Sequence, residues 1–330
     1  MRTKKIIIAG MTMLVVLAVF SLFVGKYPLS MRELLAGNEL HWRVFLTLRV
    51  SRTVVGVLGG FALGIAGFVF QTVFRNPLAS PDIIGVSSGA SAGAAAGILF
   101  GAGLGITTGW LGFSWVTAFA FAGALLSVIL AMALSMIDRN GRNSTIVLAG
   151  IAVHSLAQTV LMCLKLTADP EKELASIEYW IMGSLNGINS HSILGNMILC
   201  MICVGAVFLL HRQIILLSME EGEARMLGVN AGKLRLLLLL LATLMVSCVV
   251  SLSGLISFVG LVTPHLARML TKNSRASTMF LGGIFGGCLL TFSDILARSV
   301  AKTELPVSIF TGIIGAPFLI YLIVRGRQKI

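Results

Sequence analysis

The sequence predicts an all-α integral membrane protein, on the evidence of its composition, its long apolar runs and its glycine spacing. Hydrophobic residues make up 57% of the 330 residues and charged residues 12%, whereas soluble domains carry about 25% charged residues. No polar stretch is long enough for a soluble domain, so residues 1–330 are predicted to form one transmembrane domain. The net charge of +12 is then first a topology signal, and nucleic acid is not an expected partner.

About ten runs are apolar enough to cross the bilayer, which takes about 20 helical residues. The run at 254–270 is short, begins with glycine and contains Pro264, so a partial or broken helix lined by protein is expected there. The first run is longer than a signal-peptide core and is predicted to span. The predicted spans are 6–25, 50–72, 84–106, 114–137, 145–167, 191–210, 234–253, 254–270, 278–298 and 307–324.

Lysine and arginine predict the orientation. With the N-terminus inside, 16 of the 25 basic residues fall in cytoplasmic segments. This is the bias that the positive-inside rule describes. For ten spans it places both the N-terminus and the C-terminus in the cytoplasm.

Glycines spaced four residues apart predict close helix packing. Such stripes let two backbones approach, and packing of this kind drives helix association in lipid. The sequence therefore predicts a tight bundle, although a tight bundle is not specific to transport. The stripes comprise Gly60 and Gly64, Gly282 and Gly286, and the run Gly85, Gly89, Gly93, Gly97, Gly101 and Gly105.

A short charged helix is predicted at 219–227, between two apolar runs. Ser218 and Glu221 form a capping box, three glutamates occupy the first turn, and Gly228 supplies a C-terminal stop. A helix this short is marginal by itself in water. It is therefore either an ordered surface loop or a segment that packs against something at the cytoplasmic face.

Arg49, Arg52 and Arg298 lie at span ends on the predicted outer side, against the positive-inside trend. Arg49 and Arg52 are spaced i, i+3 and share a helix face. An arginine in a membrane helix is costly. Either the three form an outward basic patch for an acidic partner, or they extend to lipid headgroups.

Several polar residues lie near or within the spans. The two-proline segment 75–82 predicts a rigid cytoplasmic connection, with the next helix starting after Asp82. Asn143 and Ser144 predict a helix cap at the cytoplasmic start of span five. His154 and Gln158 are spaced i, i+4 inside that span and could face a polar cavity.

Catalytic and coupling motifs are missing from the sequence. Gly228-x-x-x-Gly232–Lys233 has the wrong spacing for a P-loop, and no zinc ligand set accompanies Cys200 and Cys203. Asp294 is the one acid well inside a predicted span. An ion- or proton-coupled carrier acting alone, which usually needs a buried acid relay, is the weaker alternative, and a membrane enzyme lacks its catalytic constellation.

Several blocks, in this order and spacing, resemble one family. The sequence is similar to the bacterial iron-chelate and cobalamin uptake permeases, the FecCD type of ABC importer, from about Leu29 to Arg327. The blocks are Leu48–Thr53, Gly67–Ala79, Gly85–Ala90, Leu148–Gly150, Trp180–Ser184, Ala224 with Leu227–Val229, Gly260–Arg268, Glu304–Pro306 and Gly315–Pro317. Relatives often carry proline where this chain has Ser51.

The resemblance implies a type II ABC importer permease in the bacterial cytoplasmic membrane, with ten helices per subunit. Expected partners are a second permease subunit (the same chain or a related one), two ABC ATPases and an extracytoplasmic binding protein. The chain would bind no cofactor and no metal, because ATP and Mg²⁺ belong to the ATPases, and it would not itself be an enzyme. The substrate would be an iron–siderophore complex, haem or cobalamin.

The resemblance also assigns roles to residues. Arg49, Arg52 and Arg298 match arginines that meet acidic residues of the binding protein, and Asn143 and Ser144 lie near the cytoplasmic gate. The short helix matches the coupling helix that docks on the ATPase. Its residues are Glu220, Glu221, Glu223, Ala224, Arg225, Leu227, Gly228 and Val229.

Overall fold

The fold, taken from a computed structural model, is helical throughout the residues that the structure describes. These are residues 2–27, 29–101, 114–135, 143–186, 188, 190–217 and 231–327. The helices are α1 Arg2–Phe23, α2 Met31–Leu35, α3 Glu39–Val73, α4 Val86–Gly101, α5 Trp115–Ser135, α6 Asn143–Thr167, α7 Glu173–Met182, α8 Ser190–Leu209, α9 His211–Leu216, α10 Ala231–Ser253, α11 Val259–Thr271, α12 Ala276–Ser299 and α13 Val307–Arg327.

Each of the ten predicted spans overlaps a helix, which confirms the all-α membrane fold. Within the described ranges, α1, α3, α5, α6, α10 and α12 are long and apolar enough to cross a bilayer, and α4, α8 and α13 contain shorter apolar stretches. Span two begins earlier than predicted, because the helix starts at Glu39 and continues through two π-helical segments, Phe45–Val50 and Val55–Gly59.

The centre of the bundle is a seam of glycines between α3 and α12. A Cβ on Gly60 would overlap the carbonyl oxygen of Gly286, and a Cβ on Gly64 would overlap that of Gly282. The two helices therefore meet backbone to backbone, which only glycine permits at these positions. This confirms the close packing that the spacing predicted.

A second seam joins α4 to α5. Within α4, Cβ atoms on Gly89 and Gly93 would overlap the carbonyl oxygens of Gly123 and Phe119. At the start of the same stripe, Gly85 instead approaches the backbone of His154 in α6. Gly105, the last glycine of the predicted stripe, lies outside the described residues.

At the end of the bundle that the predicted orientation places in the cytoplasm, which we call the inner end, Arg268 ties α11 to α3. Its Nη1 donates to Gln71 Oε1 at 2.6 Å, and its Nη2 donates to Thr72 Oγ1 at 2.8 Å. Its guanidinium carbon also lies 4.3 Å from the centroid of the Phe68 ring. Gln71 Nε2 completes the link by donating to the Leu261 carbonyl at 2.9 Å. The two helices are thus held in one register.

The run 254–270 is a partial helix, as its glycine and its length predicted. Residues 254–258 are not helical, and α11 starts only at Val259. Gly254 and Phe258 both have positive φ, +70° and +67°. For phenylalanine this is a strained conformation, held here by packing of the Phe258 ring against Gly315 in α13. Pro264 does not end the helix.

The two-proline segment was predicted as a rigid cytoplasmic connection, and in the structure it enters the bundle beside α11. Arg75 Nε donates to the Leu217 carbonyl at 3.1 Å at the inner end. Further along, the His265 imidazole faces the backbone of Pro77. Pro81 packs beside Gly260, almost at the opposite end of α11. A 3₁₀ turn, Pro81–Ile84, then leads into α4.

Candidate functional site

Three helices bring Arg49, Arg52 and Arg298 together at one end of the bundle, which we call the outer face after the predicted orientation. Arg49 and Arg52 lie on α3, and Arg298 lies near the end of α12. The C-terminal end of α1 contributes backbone carbonyls to the same place. The three arginines are only 4%, 8% and 4% exposed, so they are buried within this single chain.

Asp294 is the centre of this arginine cluster. Its Oδ1 accepts from Arg52 Nε, and its Oδ2 accepts from Arg298 Nη2, both at 2.8 Å. Asp294 is 1% exposed. One carboxylate in α12 therefore neutralises part of the charge of two guanidiniums while it joins α12 to α3. Removing one partner of such a buried ion pair would leave a buried charge uncompensated and would destabilise the fold.

Arg298 is fully engaged inside the chain. Besides Asp294, it donates from Nη2 to Ser21 Oγ at 2.7 Å and from Nη1 to the Val24 carbonyl at 2.9 Å. Ser21 in turn hydrogen-bonds to Thr53 at 2.9 Å. Arg298 thus fastens the end of α1 to the bundle.

Arg52 and Arg49 are less completely satisfied. Arg52 Nη1 donates to Glu304 Oε2 at 2.9 Å, but Arg52 Nη2 is buried without a hydrogen-bond partner among the described residues. Arg49 is held by carbonyl oxygens alone, donating to Val24 and, at 2.7 Å, to Tyr27. Neither contact supplies a negative charge to Arg49.

A cavity of about 210 Å³ opens beside these groups. All three arginines line it, together with Glu304 and Lys26. Against three arginines and Lys26 the site holds two carboxylates, Asp294 and Glu304, which leaves an excess of positive charge. A site of this kind can accept one further anionic group.

The structure brings the three predicted arginines together, but as an internal ion-paired cluster rather than an open basic patch. Asp294 lies 242 residues from Arg52 and Glu304 lies 252 residues from it, so no local pattern in the chain indicates these pairs. The i, i+3 spacing of Arg49 and Arg52 does place them at one cavity. Their role in docking stays a prediction.

The predicted gate and coupling residues are only partly visible. α6 begins at Asn143, where a cap was predicted, but the side chains of Asn143 and Ser144 lie outside the described part of the chain. The whole short helix at 219–227 also lies outside it, including Glu220, Glu221, Glu223, Ala224, Arg225, Leu227, Gly228 and Val229.

Comparison with known proteins gives consistent matches along the chain. The FecCD transport family matches residues 13–325. The hemin transport system permease HmuU of Yersinia pestis is 34% identical over 96% of this chain and 94% of its own length. The molybdate import permease MolB of Haemophilus influenzae is 32% identical, covering 98% and 97%.

A solved structure gives the same result for the fold. An inward-facing metal-chelate type ABC transporter superposes with a TM-score of 0.85 at 32% identity, covering 98% of this chain and 99% of the other. The Fe(3+) dicitrate permease FecD of Escherichia coli is 33% identical over 94% of this chain and 95% of its own. The chain with the buried arginine cluster therefore belongs to the FecCD transport family.

Proposed function

We propose that this chain is the membrane-spanning subunit of an ATP-driven importer that carries a metal chelate into the cytoplasm. The observation that carries the proposal is the family match over residues 13–325. Relatives named for hemin, ferric dicitrate and siderophores support an iron chelate as the substrate class. An iron–siderophore complex is the substrate we propose first, although relatives named for molybdate and cobalamin share the fold.

ATP hydrolysis is assigned to separate subunits. The sequence has no P-loop, so the permease needs an ABC ATPase, which would bind ATP and Mg²⁺. The short helix at 219–227 is proposed as its docking element. The proposed orientation, with both termini in the cytoplasm, puts this helix on the side where ATP is available.

Transport would then follow alternating access. Closure of two ATPases on ATP would displace the helices at 219–227 of two permease subunits. That motion would open the pathway between them on one side and close it on the other, with Asn143 and Ser144 at the cytoplasmic gate. The chain contributes a coupling free energy between nucleotide state and pathway state, and no covalent chemistry.

The arginine cavity is proposed as the docking site of an extracytoplasmic binding protein. Its excess positive charge fits one carboxylate from that protein. The three arginines then have different roles. Arg49 and Arg52 would receive the carboxylate, whereas Arg298, engaged by Asp294 and α1, holds the cavity in shape.

The importer is tested by co-purification from native membranes with a tag on this chain, followed by reconstitution in proteoliposomes. We expect to recover an ATPase and a binding protein, and to measure ATP-dependent uptake of radiolabelled ferric siderophore, hemin, cobalamin or molybdate. Uptake by this chain alone, without any ATPase, would overturn the proposal and favour the ion- or proton-coupled carrier.

The docking role is tested with Arg49→Glu, which reverses the charge of a cavity residue. Binding of the recovered binding protein is expected to weaken by at least about tenfold, because a carboxylate would then face a carboxylate. Arg43→Glu is the matched control, since Arg43 is an exposed arginine on the same helix and does not line the cavity. Equal affinity of the two variants would contradict the docking role.

A further inference from the structure

Asp82 lies on the segment that enters the bundle, and three helices locate its depth. With a rise of 1.5 Å per residue, Gly260 beside Pro81 is about 16 Å from Thr271, the inner end of α11. Val246 and Leu63 line a cavity together with Asp82. Val246 is about 16 Å from Arg235, near the inner end of α10, and Leu63 is about 15 Å from Val73, the inner end of α3. All three distances are about half the 30 Å hydrocarbon thickness.

The contacts along α11 show how the chain reaches this depth. The segment rises from Arg75 at Leu217, past Pro77 at His265, to Pro81 at Gly260. α4 therefore starts near the middle of the bilayer, at Val86, rather than at a membrane surface. Backbone without helical hydrogen bonds is tolerated at this depth only inside protein or beside a water-filled space.

Asp82 is an exposed residue on this single chain. Its hydrogen-bond donor among the described side chains is the hydroxyl of Ser87, in the first turn of α4. None of the ion pairs between described residues joins it to lysine or arginine. A carboxylate facing hydrocarbon near the bilayer centre is energetically costly. Asp82 is therefore expected to face water or a polar ligand instead of lipid.

The polar surface continues onto α6. The backbone of His154 lies against Gly85, and its imidazole is close enough to Asp82 to interact electrostatically. His154 Nδ1 is buried and has no hydrogen-bond partner among the residues described. Two groups that bind polar ligands, a carboxylate and an imidazole, thus stand together at mid-membrane depth.

A cavity of about 180 Å³ lies at this turn. Four polar side chains line it, and they belong to the entering segment, to α4 and to the break before α11: Ser80, Asp82, Ser87 and Ser257. Its volume is below the roughly 300–1,000 Å³ of pockets that enclose a whole small molecule. It suits one substituent of a larger ligand.

We propose that Asp82 and Ser87 form a binding site for the chelate halfway through the pathway, which we call the contact station. It binds a hydrogen-bond-donating or cationic substituent of the chelate. This inference rests on the proposed function, because it assumes that a chelate passes the site. Asp82 supplies acceptor oxygens and negative charge, so the station favours chelates with ammonium, hydroxyl or amide groups over bare oxyanions such as molybdate.

Exposure to the pathway is tested without knowing the substrate. Asp82→Cys is introduced together with Cys163→Ser, since Cys163 is the exposed cysteine of the described residues. The permease–ATPase complex in lipid nanodiscs is treated with MTSET, a charged reagent that needs water to reach a thiol. We expect Asp82→Cys to react, whereas Val16→Cys, an apolar mid-helix control on α1, does not. Protection of Asp82→Cys to the level of Val16→Cys would overturn the proposal.

The binding role is tested by uptake in the reconstituted complex. Asp82→Asn is expected to lower uptake of ferrioxamine B, a cationic ferric hydroxamate, about tenfold, or of whichever chelate the binding protein delivers if it carries donor groups. ATPase stimulation by the loaded binding protein should stay unchanged, which shows that the variant folds and docks. Glu171→Gln, which removes an exposed loop carboxylate, is the control.

The two possible failures are distinguishable. If the unchanged complex takes up no chelate, the proposed function fails. If it transports and Asp82→Asn transports equally well, the function stands and the contact station is wrong. Loss of both uptake and ATPase stimulation in Asp82→Asn would also overturn the station, because it would mark Asp82 as a residue needed for assembly.

Discussion

At the outer face Arg52 and Arg298 share the carboxylate of Asp294, whereas at the inner end Arg268 is held by neutral groups. Arg268 binds an amide oxygen, a hydroxyl, a carbonyl and the Phe68 ring, each with a partial negative charge at most. The outer cluster is therefore a balance of full charges in a buried place. The inner site is a set of dipoles around one cation.

The two sites should differ in how much stability the protein loses when one group is removed. Removing Asp294 would leave two buried guanidiniums without their shared counterion. Removing Arg268 would leave only neutral groups unpaired, and these cost less to bury than a charge. The two sites should thus respond differently to substitutions of similar size.

The largest effect is expected from Asp294→Asn. We expect it to lower the free energy of unfolding by about 3–5 kcal/mol, because it strands buried charge. Thermal unfolding of the purified protein in detergent measures this. Asp294→Asn combined with Arg298→Met, which removes one stranded cation, should be less unstable than Asp294→Asn alone. A loss below about 1 kcal/mol for Asp294→Asn would break the comparison.

A smaller effect is expected from Arg268→Met, which removes the hydrogen bonds between α11 and α3. We expect a loss of about 1–3 kcal/mol, since the remaining partners are neutral. Arg268→Lys, which keeps the charge but not the fork of donors, should fall between the unchanged protein and Arg268→Met. If Arg268→Met proves as unstable as Asp294→Asn, the nature of the partners does not matter.

The smallest effect is expected at an exposed ion pair. Lys165 Nζ lies 2.8 Å from Glu178 Oε1, with side chains 27% and 46% exposed. Lys165→Ala should lower the free energy of unfolding by less than about 1 kcal/mol, because water screens such a pair. Glu178→Gln should have the same small effect, and both effects should diminish in high salt. A loss in unfolding free energy as large as that of Arg268→Met would contradict the expectation that exposure weakens this ion pair.

The glycine pattern predicted packing well because its spacing is a local property of the sequence. Gly60 and Gly64 sit opposite Gly286 and Gly282, as stripes of this kind are expected to do. The pattern did not say which stripe faces which. That choice depends on the path of the whole chain.

The arginine cluster could be predicted only in part for the same reason. Arg49, Arg52 and Arg298 were predictable because each is a costly charge at a span end. Asp294 was predicted only as an isolated acid and Glu304 was not predicted as a partner, although both contact Arg52. Pairs this far apart in the chain are defined only once α3 and α12 are packed together.

The entering segment at 75–82 was predicted as a rigid cytoplasmic connection because of its two prolines. Local sequence does not reveal depth. The contacts of Pro77 and Pro81 with α11 indicate the depth, because the position of each contact along α11 measures distance through the membrane. The partial helix predicted at 254–270 was the one sign in the sequence that irregular backbone lies inside this bundle.

The glycine seam between α3 and α12 also constrains how the subunit can move. The carbonyl oxygens of Gly282 and Gly286 lie where a Cβ on Gly64 or Gly60 would be, so a shift of one helix along the other would bring bulkier side chains into contact. We therefore expect α3 and α12 to move together. The apolar stretches of α1 and α6 are only 17% and 22% buried within this chain, against 78% and 72% for α3 and α12, so relative motion is expected at α1 and α6. His154 belongs to α6, so it would move relative to α3 and α12.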